Sequence, residues 1–393
     1  MSTDERPTRV LFVNSGILGH RAVACLLDDA ARLMPSVAAE HVNLSDNLTY
    51  SDRAVRWILS RRLTPDDGPA RNLDLRRWRM ELNIGLLAAR RVRAAERSSS
   101  FDVVHYHPQP TAYASLSRMA RGPVIVSIDA TQQLAREEAR SGLHRATYLP
   151  NIAHDRMVFR RAAAIVATSD WAARSLSANY PDTAHKVHVL PYPVRACVDP
   201  EWVEERYRRA RRNGSPVRAL FMGGDFPRKG GFELLEAWRA AAFGKRAELT
   251  LVTDWPIDAH QLPPGVRHVR GVSAYSPDWS ELWRQADLFV MPARHEAFGM
   301  VYQEAAAAGL PVVATSVNAV PEIVRDGATG ALVALHDSPA LVGALHALVD
   351  SADLRRRMGA AALARIRIEG APARYAGRLQ SIIHSVTERH GLH

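Results

Sequence analysis

Short runs of β-branched and apolar residues recur along the chain, each followed by a stretch with the 3.6-residue period of a helix. In the first half the runs are Val10–Val13, Val103–Tyr106, Val124–Ile128, Ala164–Ala167 and Val187–Leu190. A second series comprises Arg218–Met222, Leu249–Thr253, Val266–Val269, Leu288–Met291 and Val312–Ala314. Strands alternating with helices predict βαβ crossovers and parallel sheets. Between the series, Pro191 and Pro193 precede an Arg-rich stretch that ends in Asn213-Gly214-Ser215-Pro216, a linker pattern. Two Rossmann-like α/β domains are therefore expected, over 1–195 and 196–372. Ligands of open parallel sheets bind beyond the carboxyl ends of the strands, so the cleft between two facing sheets is the expected site.

The length of 393 residues suits two domains. With 47% hydrophobic and 23% charged residues, the composition excludes a disordered chain or a membrane bundle. No stretch reaches the roughly 18 consecutive apolar residues of a membrane span, and no secretory h-region follows the charged first residues. A soluble, cytoplasmic protein is expected, with peripheral contact at the inner membrane face left open. Cys25 and Cys197 match no metal or redox spacing and make no disulfide framework. Only three of the 51 basic residues are lysines (Lys186, Lys229 and Lys245), and the formal charge is +10. The segment 53–97 concentrates this charge, with 12 arginines against five acids. Such a patch attracts phosphates, anionic lipid or nucleic acid, and reads equally as a solvated helix face. No nucleic-acid-binding motif accompanies it, so nucleic acid is not an expected partner. Within it, Trp78, Leu82, Leu86 and Ala89 fall at helical spacing and are expected to form the packed face, with Arg90, Arg93 and Arg97 turned outward.

Three segments carry candidate chemistry. Asn14-Ser15-Gly16-Ile17-Leu18-Gly19-His20 follows the first strand; it reads as a ligand loop and equally as a plain strand–helix turn. Gly223-Gly224-Asp225-Phe226-Pro227-Arg228-Lys229-Gly230-Gly231 follows another strand and sets two cations among glycines ahead of a helix, an arrangement that suits a diphosphate. The third segment runs from Glu296 through Phe298, Gly299, Met300 and Tyr302 to Glu304. Continued along one regular helix, its two carboxylates would lie roughly 80° apart and two turns separated. Carboxylates there accept hydrogen bonds from vicinal hydroxyls of a sugar or ribose, and equally complement a helix dipole.

The segment Glu296–Glu304 resembles the E-x7-E motif of retaining GT-B glycosyltransferases of family 4. So do Gly309–Thr315, Val320–Val324, Asp326–Gly330, the Arg-Lys-Gly loop at 228–230 and the strand ending at Pro292. The likeness is dense over 215–335 and thinner before it, where it rests on the first glycine loop, Asp102–His107 and Ala167–Ser169. It implies the GT-B fold, with a C-terminal helix over 373–393 crossing back to an acceptor-binding N-terminal domain. It also implies a UDP- or GDP-sugar donor with no cofactor and no metal, and transfer with retention to a glycan, lipid-linked or small-molecule acceptor. Carried over by motif position, Arg228 and Lys229 bind the diphosphate and Glu304 the ribose. Glu296, with the backbone of Phe298, Gly299 and Met300, holds the transferred sugar. Gly16 and Gly19 close on the donor, and the base lies near Gly271 and Val272. Glu296, Lys229 and Asp129 are the candidate catalytic residues.

Two departures stand out. Many members carry histidine where the strand Val124–Ile128 ends, and here that position is Asp129. An aspartate cannot copy a neutral imidazole donor, but it can orient an acceptor or take its proton. Many members also place arginine just after the strand of the second loop, where this chain has Gly224-Asp225. His105, His107 and Gln109, at a strand end, are candidate acceptor contacts. Two other readings fit the same motifs: a phosphorylase- or epimerase-like GT-B enzyme, and a catalytically degenerate sugar- or partner-binding subunit.

Overall fold

The computed structural model describes residues 6–16, 20–64, 73–139, 141–195, 200–210 and 215–391. The chain divides into two compact units, one formed by Met1–Tyr192 with Pro372–His393 and the other by Pro193–Ala371.

Among the described residues of the first unit, six parallel strands lie in the order β2-β1-β3-β4-β5-β6. They are β1 (Thr8–Asn14), β2 (Val37–Asn43), β3 (Val103–His107), β4 (Val124–Ile128), β5 (Ala164–Ala167) and β6 (Val187–Val189). The central strands are fully buried on both faces, as crossover helices require of a parallel sheet. The order reverses between β1 and β3, and their register sets Asn14 beside His107 at the carboxyl ends. The last helix, Pro372–Arg389, packs against the helix His20–Ala31. Its His384 Nε2 is 3.0 Å from Ser36 Oγ, and Arg378 donates to the Val189 carbonyl at 2.8 Å.

The second unit repeats this plan, with described strands in the order β12-β11-β10-β7-β8-β9. These are β7 (Val217–Met222), β8 (Ala247–Val252), β9 (Val266–Val269), β10 (Leu288–Met291), β11 (Val312–Thr315) and β12 (Gly330–Val333). Here the reversal falls between β7 and β10. Asp287 ties these strands at their starts, accepting from the Arg218 amide at 2.8 Å and from Arg209 at 2.6 Å.

The hydrophobic pattern misses β2 and β12, and both are edge strands. An edge strand is covered less completely, and in β2 Glu40 and His41 interrupt the apolar run, whereas β12, Gly-Ala-Leu-Val, is apolar but only four residues long and opens on a glycine. The expected packed stripe in the helix Arg76–Ser98 holds at Ala89, with Trp78 and Leu82 half-buried, and is corrected at Leu86. Its buried residues are Gly85, Ala88, Ala89 and Val92, while Leu86 is exposed. Small residues face inward because a backbone lies against them: a Cβ on Gly85 would stand 2.9 Å from the Pro110 carbonyl oxygen.

Two helical glycines of the second unit give opposite expectations. Replacing glycine by alanine inside a helix normally stabilises by about 0.5–1 kcal/mol. Gly343, in the helix Ser338–Asp350, has open space where a Cβ would go. Gly359, in the helix Ala352–Glu369, would place it 2.3 Å from the Gly309 carbonyl oxygen. In urea unfolding, Gly343→Ala is expected to gain about that amount, and Gly359→Ala to lose about 1–3 kcal/mol through overpacking.

Candidate functional site

Both strand-order reversals carry the candidate residues, as expected for ligand sites of doubly wound sheets. In the second unit the loop from Gly223 to Gly230 joins β7 to the helix Gly231–Ala241. Gly230 has φ +74°, and a Cβ there would stand 1.8 Å from the Pro292 carbonyl oxygen just after β10. A glycine is thus what lets the loop lie directly on the end of β10. The Arg294 amide donates to the Arg228 carbonyl at 2.9 Å and fixes the two segments together. Phe226 fills the space under the loop, fully buried and in contact with the α-carbon of Gly231.

This contact brings Lys229 and Glu296 together as a largely buried ion pair. Burial, reinforced by the Arg228 charge, pulls the Lys229 ammonium down to about 7. The touching Glu296 carboxylate favours its charged form. The backbone amide of Glu296 donates to Asn318 Oδ1 at 3.2 Å. Arg228 is held by its own surroundings: Nε donates to Asp225 Oδ2 at 3.0 Å and Nη1 to the His295 carbonyl at 2.9 Å.

The helix Met300–Ala307 begins after Gly299, whose φ is +91°. Glu296 therefore lies in the preceding loop, and the picture of two carboxylates on one regular helix is corrected. Left-handed Gly299 turns the chain so that its α-carbon faces both Glu296 Cγ and the Tyr302 ring, where a Cβ would clash at 2.9 and 2.6 Å. Tyr302 anchors the helix to β10 by donating to the Met291 carbonyl at 2.9 Å, and Phe298 is buried beside it. Glu304, one turn into the helix, accepts from the Tyr275 hydroxyl at 3.2 Å. Burial pushes its carboxyl up to about 7, against the opposing pulls of Tyr275 and of the Lys229 charge. Tyr275 itself sits at φ +64°, with the Arg195 guanidinium 5.0 Å from its ring centre.

Gly271 and Val272 lie after the edge strand β9. Gly271 takes φ +72° and donates its amide to Asp254 Oδ1 at 2.8 Å, and Val272 packs on the core of the unit. The structure thus gathers Arg228, Lys229, Glu296, Phe298, Gly299 and Met300 at the β7/β10 reversal. Glu304 lies near enough to act on the Lys229 charge. Asn318, Tyr275 and Asp254 join them without having been expected, because no motif marks a residue that supports another.

In the first unit a hydrogen-bonded chain runs across the β1/β3 reversal. The Tyr192 hydroxyl donates to Asp129 Oδ1 at 2.6 Å, so His107 Nε2, 2.5 Å away, is the donor to Tyr192. His107 Nδ1 then accepts from the Asn14 amide, 3.4 Å away, once that amide is turned to present its nitrogen. Burial, with the Asp129 charge, pushes the Tyr192 hydroxyl well above its ordinary range. His105 is fully buried, 2.6 Å from Ser127 Oγ and edge-on to Phe12. Desolvation takes its imidazole down to about 3, so it stays neutral as a packing residue. Gln109 donates to the Ala130 carbonyl at 2.9 Å and fastens the loop after β4. Gly16 has φ +64° and lies against Ser45; Gly19 lies outside the described residues. Tyr192, whose neighbours Pro191 and Pro193 read only as a linker, is the functional candidate that the sequence hid.

Two family models match the chain, "Glycosyltransferase Family 4" over residues 42–196 and "Glycosyl transferases group 1" over 216–351. Among curated relatives, the D-inositol 3-phosphate glycosyltransferase of Streptomyces scabiei is 51% identical over 87 residues, 22% of this chain and 19% of that protein. The protein of the same name from Pseudarthrobacter chlorophenolicus is 26% identical over 322 residues, 76% of this chain and 74% of its own. The matched region thus spans about a fifth of the first relative's length. Among solved structures, sucrose-phosphate synthase from Thermosynechococcus elongatus superposes with a TM-score of 0.72 at 15% identity, covering 97% of this chain and 100% of that one. HepE of Anabaena, solved with UDP and glucose, gives a TM-score of 0.66 at 16% identity over 96% of this chain and 100% of its own. With two parallel six-stranded sheets, these likenesses and its motifs, the chain belongs to the family 4 glycosyltransferases of GT-B fold.

Proposed function

We propose that the protein is a retaining glycosyltransferase that moves a hexosyl or N-acetylhexosaminyl group from a UDP-sugar to a hydroxyl of a polyol acceptor. The observation that carries this reading is the Lys229–Glu296 pair at the β7/β10 reversal, flanked by Gly230 and Gly299. The arriving donor separates the pair: its diphosphate takes the ammonium, and hydroxyls of its sugar take the carboxylate. Arg228 and the start of the helix Gly231–Ala241 add positive potential, so the charge on the departing diphosphate is met by protein groups without a metal. Glu304 accepts the ribose hydroxyls, and Tyr275 fixes its orientation. UDP as the nucleotide is supported by the ligand of HepE. The relatives' names make D-inositol 3-phosphate the first acceptor to assay.

In the reaction the acceptor oxygen attacks the anomeric carbon from the face that the diphosphate leaves. The bond from that carbon to the diphosphate oxygen breaks, and the acceptor proton passes to the departing oxygen. The configuration is kept and no covalent enzyme intermediate forms. Asp129, at the end of the Asn14–His107–Tyr192 chain, orients the acceptor hydroxyl.

By calorimetry with UDP, Lys229→Ala and Glu304→Ala are each expected to weaken binding by about tenfold to a hundredfold, the worth of a charge-assisted hydrogen bond. Unchanged affinity in both removes the site assignment. Asp129→Asn is expected to leave UDP affinity intact and lower kcat by about tenfold or more; unchanged turnover excludes the acceptor role.

The raised carboxyl of Glu304 adds a pH signature. Its folded pKa, about 7, lies above the ordinary 4.5, so its contribution to stability is full below about pH 4.5 and is lost as pH rises through 7. Glu304→Gln removes this titration. Between pH 5 and pH 7.5 the wild type is expected to lose stability relative to the variant in urea unfolding without ligand. Parallel curves would show that the carboxyl is not held protonated by burial.

A further inference from the structure

The helix Tyr50–Ser60 of the first unit is mounted with its apolar side away from the protein. At 100° per residue, Tyr50, Ala54, Trp57 and Ile58 fall within an arc of roughly 100°. Asp52 and Leu59, the side that packs, lie nearly opposite. Tyr50, Trp57 and Ile58 are 91%, 63% and 57% exposed, and Val55 and Leu63 beside them are exposed as well. A surface helix of a globular protein turns its apolar stripe to the core. This one does the reverse.

The mounting is firm. Thr49 and Asp52 form a reciprocal capping box at the start of the helix. Buried Asp52 also pairs with Arg90 and lies 3.9 Å from Arg91. At the other end Arg76 donates to the Ser60 carbonyl at 2.6 Å, and Arg79 donates to those of Leu59 and Arg61 at 3.2 and 2.9 Å. The arginines of the helix Arg76–Ser98 thus grip both ends, while no described residue covers the apolar face.

Charge decides what fits that face. Arg53 and Arg61 are exposed beside it, Arg56 and Arg62 are exposed nearby, and from Tyr50 to Leu63 the one acid is Asp52, which is buried and paired. Arg61 lies with its guanidinium 5.5 Å from the centre of the Trp57 ring. An indole, a phenol and branched aliphatic chains with arginines beside them match the boundary between anionic headgroups and acyl chains. We infer that the helix Tyr50–Ser60 is a docking surface for anionic bilayers, with Trp57 and Ile58 inserted and the arginines on headgroup phosphates. Among the described residues no helix is long and apolar enough to cross a membrane, so the contact is in the plane of the surface.

The test is flotation of the full chain with vesicles of phosphatidylcholine alone or with about a third phosphatidylglycerol. The expected result is binding to the anionic vesicles only, weakened by added salt. Two exposed double variants, Trp57→Ser with Ile58→Ser and Arg53→Glu with Arg61→Glu, are each expected to lower binding by about tenfold. Both should keep the wild-type unfolding midpoint and UDP affinity. Equal binding to both vesicle types, or undiminished binding by the variants, overturns the inference. So does light scattering that shows a dimer which the Trp57/Ile58 variant dissolves, because the face would then belong to a second copy.

Discussion

The candidate donor site depends on the missing side chain of residue 230. Strands β7 and β10 are neighbours in space but far apart in sequence, and their following loops meet only because Gly230 passes against the Pro292 carbonyl. Any Cβ would push the loops apart and carry Lys229 away from Glu296. Gly299 applies the same constraint from the other side by turning the chain at the start of the helix Met300–Ala307. Two glycines in left-handed conformations therefore set where three charged side chains stand. The sheet supplies the reversal, and the glycines supply the close approach that a ligand site requires there.

Charges held this way are poorly solvated. Removing an ammonium and two carboxyls from water costs several kcal/mol per ion unless each finds a partner. Lys229 answers Glu296, whereas Glu304 has a tyrosine hydroxyl and titrates near neutrality. A nucleotide-sugar would relieve this on both sides, since its diphosphate is an anion and its sugars are hydroxyl donors. The first unit solves a similar problem with neutral groups: His107 and Tyr192 pass hydrogen bonds in one direction toward a single carboxylate, Asp129. One reversal gathers ionisable side chains, the other a chain of hydrogen bonds ending on one carboxylate.

The sequence shows the fold where burial is complete. Apolar runs mark the central strands, whereas the edge strand β2 is broken by Glu40 and His41 and the edge strand β12 is a run of only four residues that opens on a glycine. The helix Arg76–Ser98 shows how periodicity can mislead. The expected face holds at Ala89 but not at exposed Leu86, because the backbone approaching at Pro110 admits Gly85 and small neighbours there. At the site, glycines and charges in sequence clusters are readable because each motif sits in a single loop. Tyr275, Asn318 and Tyr192 are not, because each reaches its partner across the fold from a segment with no pattern of its own.

The arginine excess needs the same distinction between residues and surfaces. Counting charge over 53–97 places the basic patch correctly along the chain and says nothing about which guanidinium groups reach solvent. Arg76 and Arg79 are taken up by backbone carbonyls, Arg90 by Asp52, and Arg77 by Glu81. These groups build the scaffold. Others, Arg53 and Arg61 among them, stay exposed beside Trp57 and Ile58, where they coincide with apolar side chains that the core does not cover. Either feature alone is ordinary on a protein surface; exposed apolar residues are common and so are arginines. Their coincidence on a helix fixed at both ends turns a compositional bias into a located surface. Within that short helix the inner side stabilises the fold, which leaves the outer side free to meet a partner.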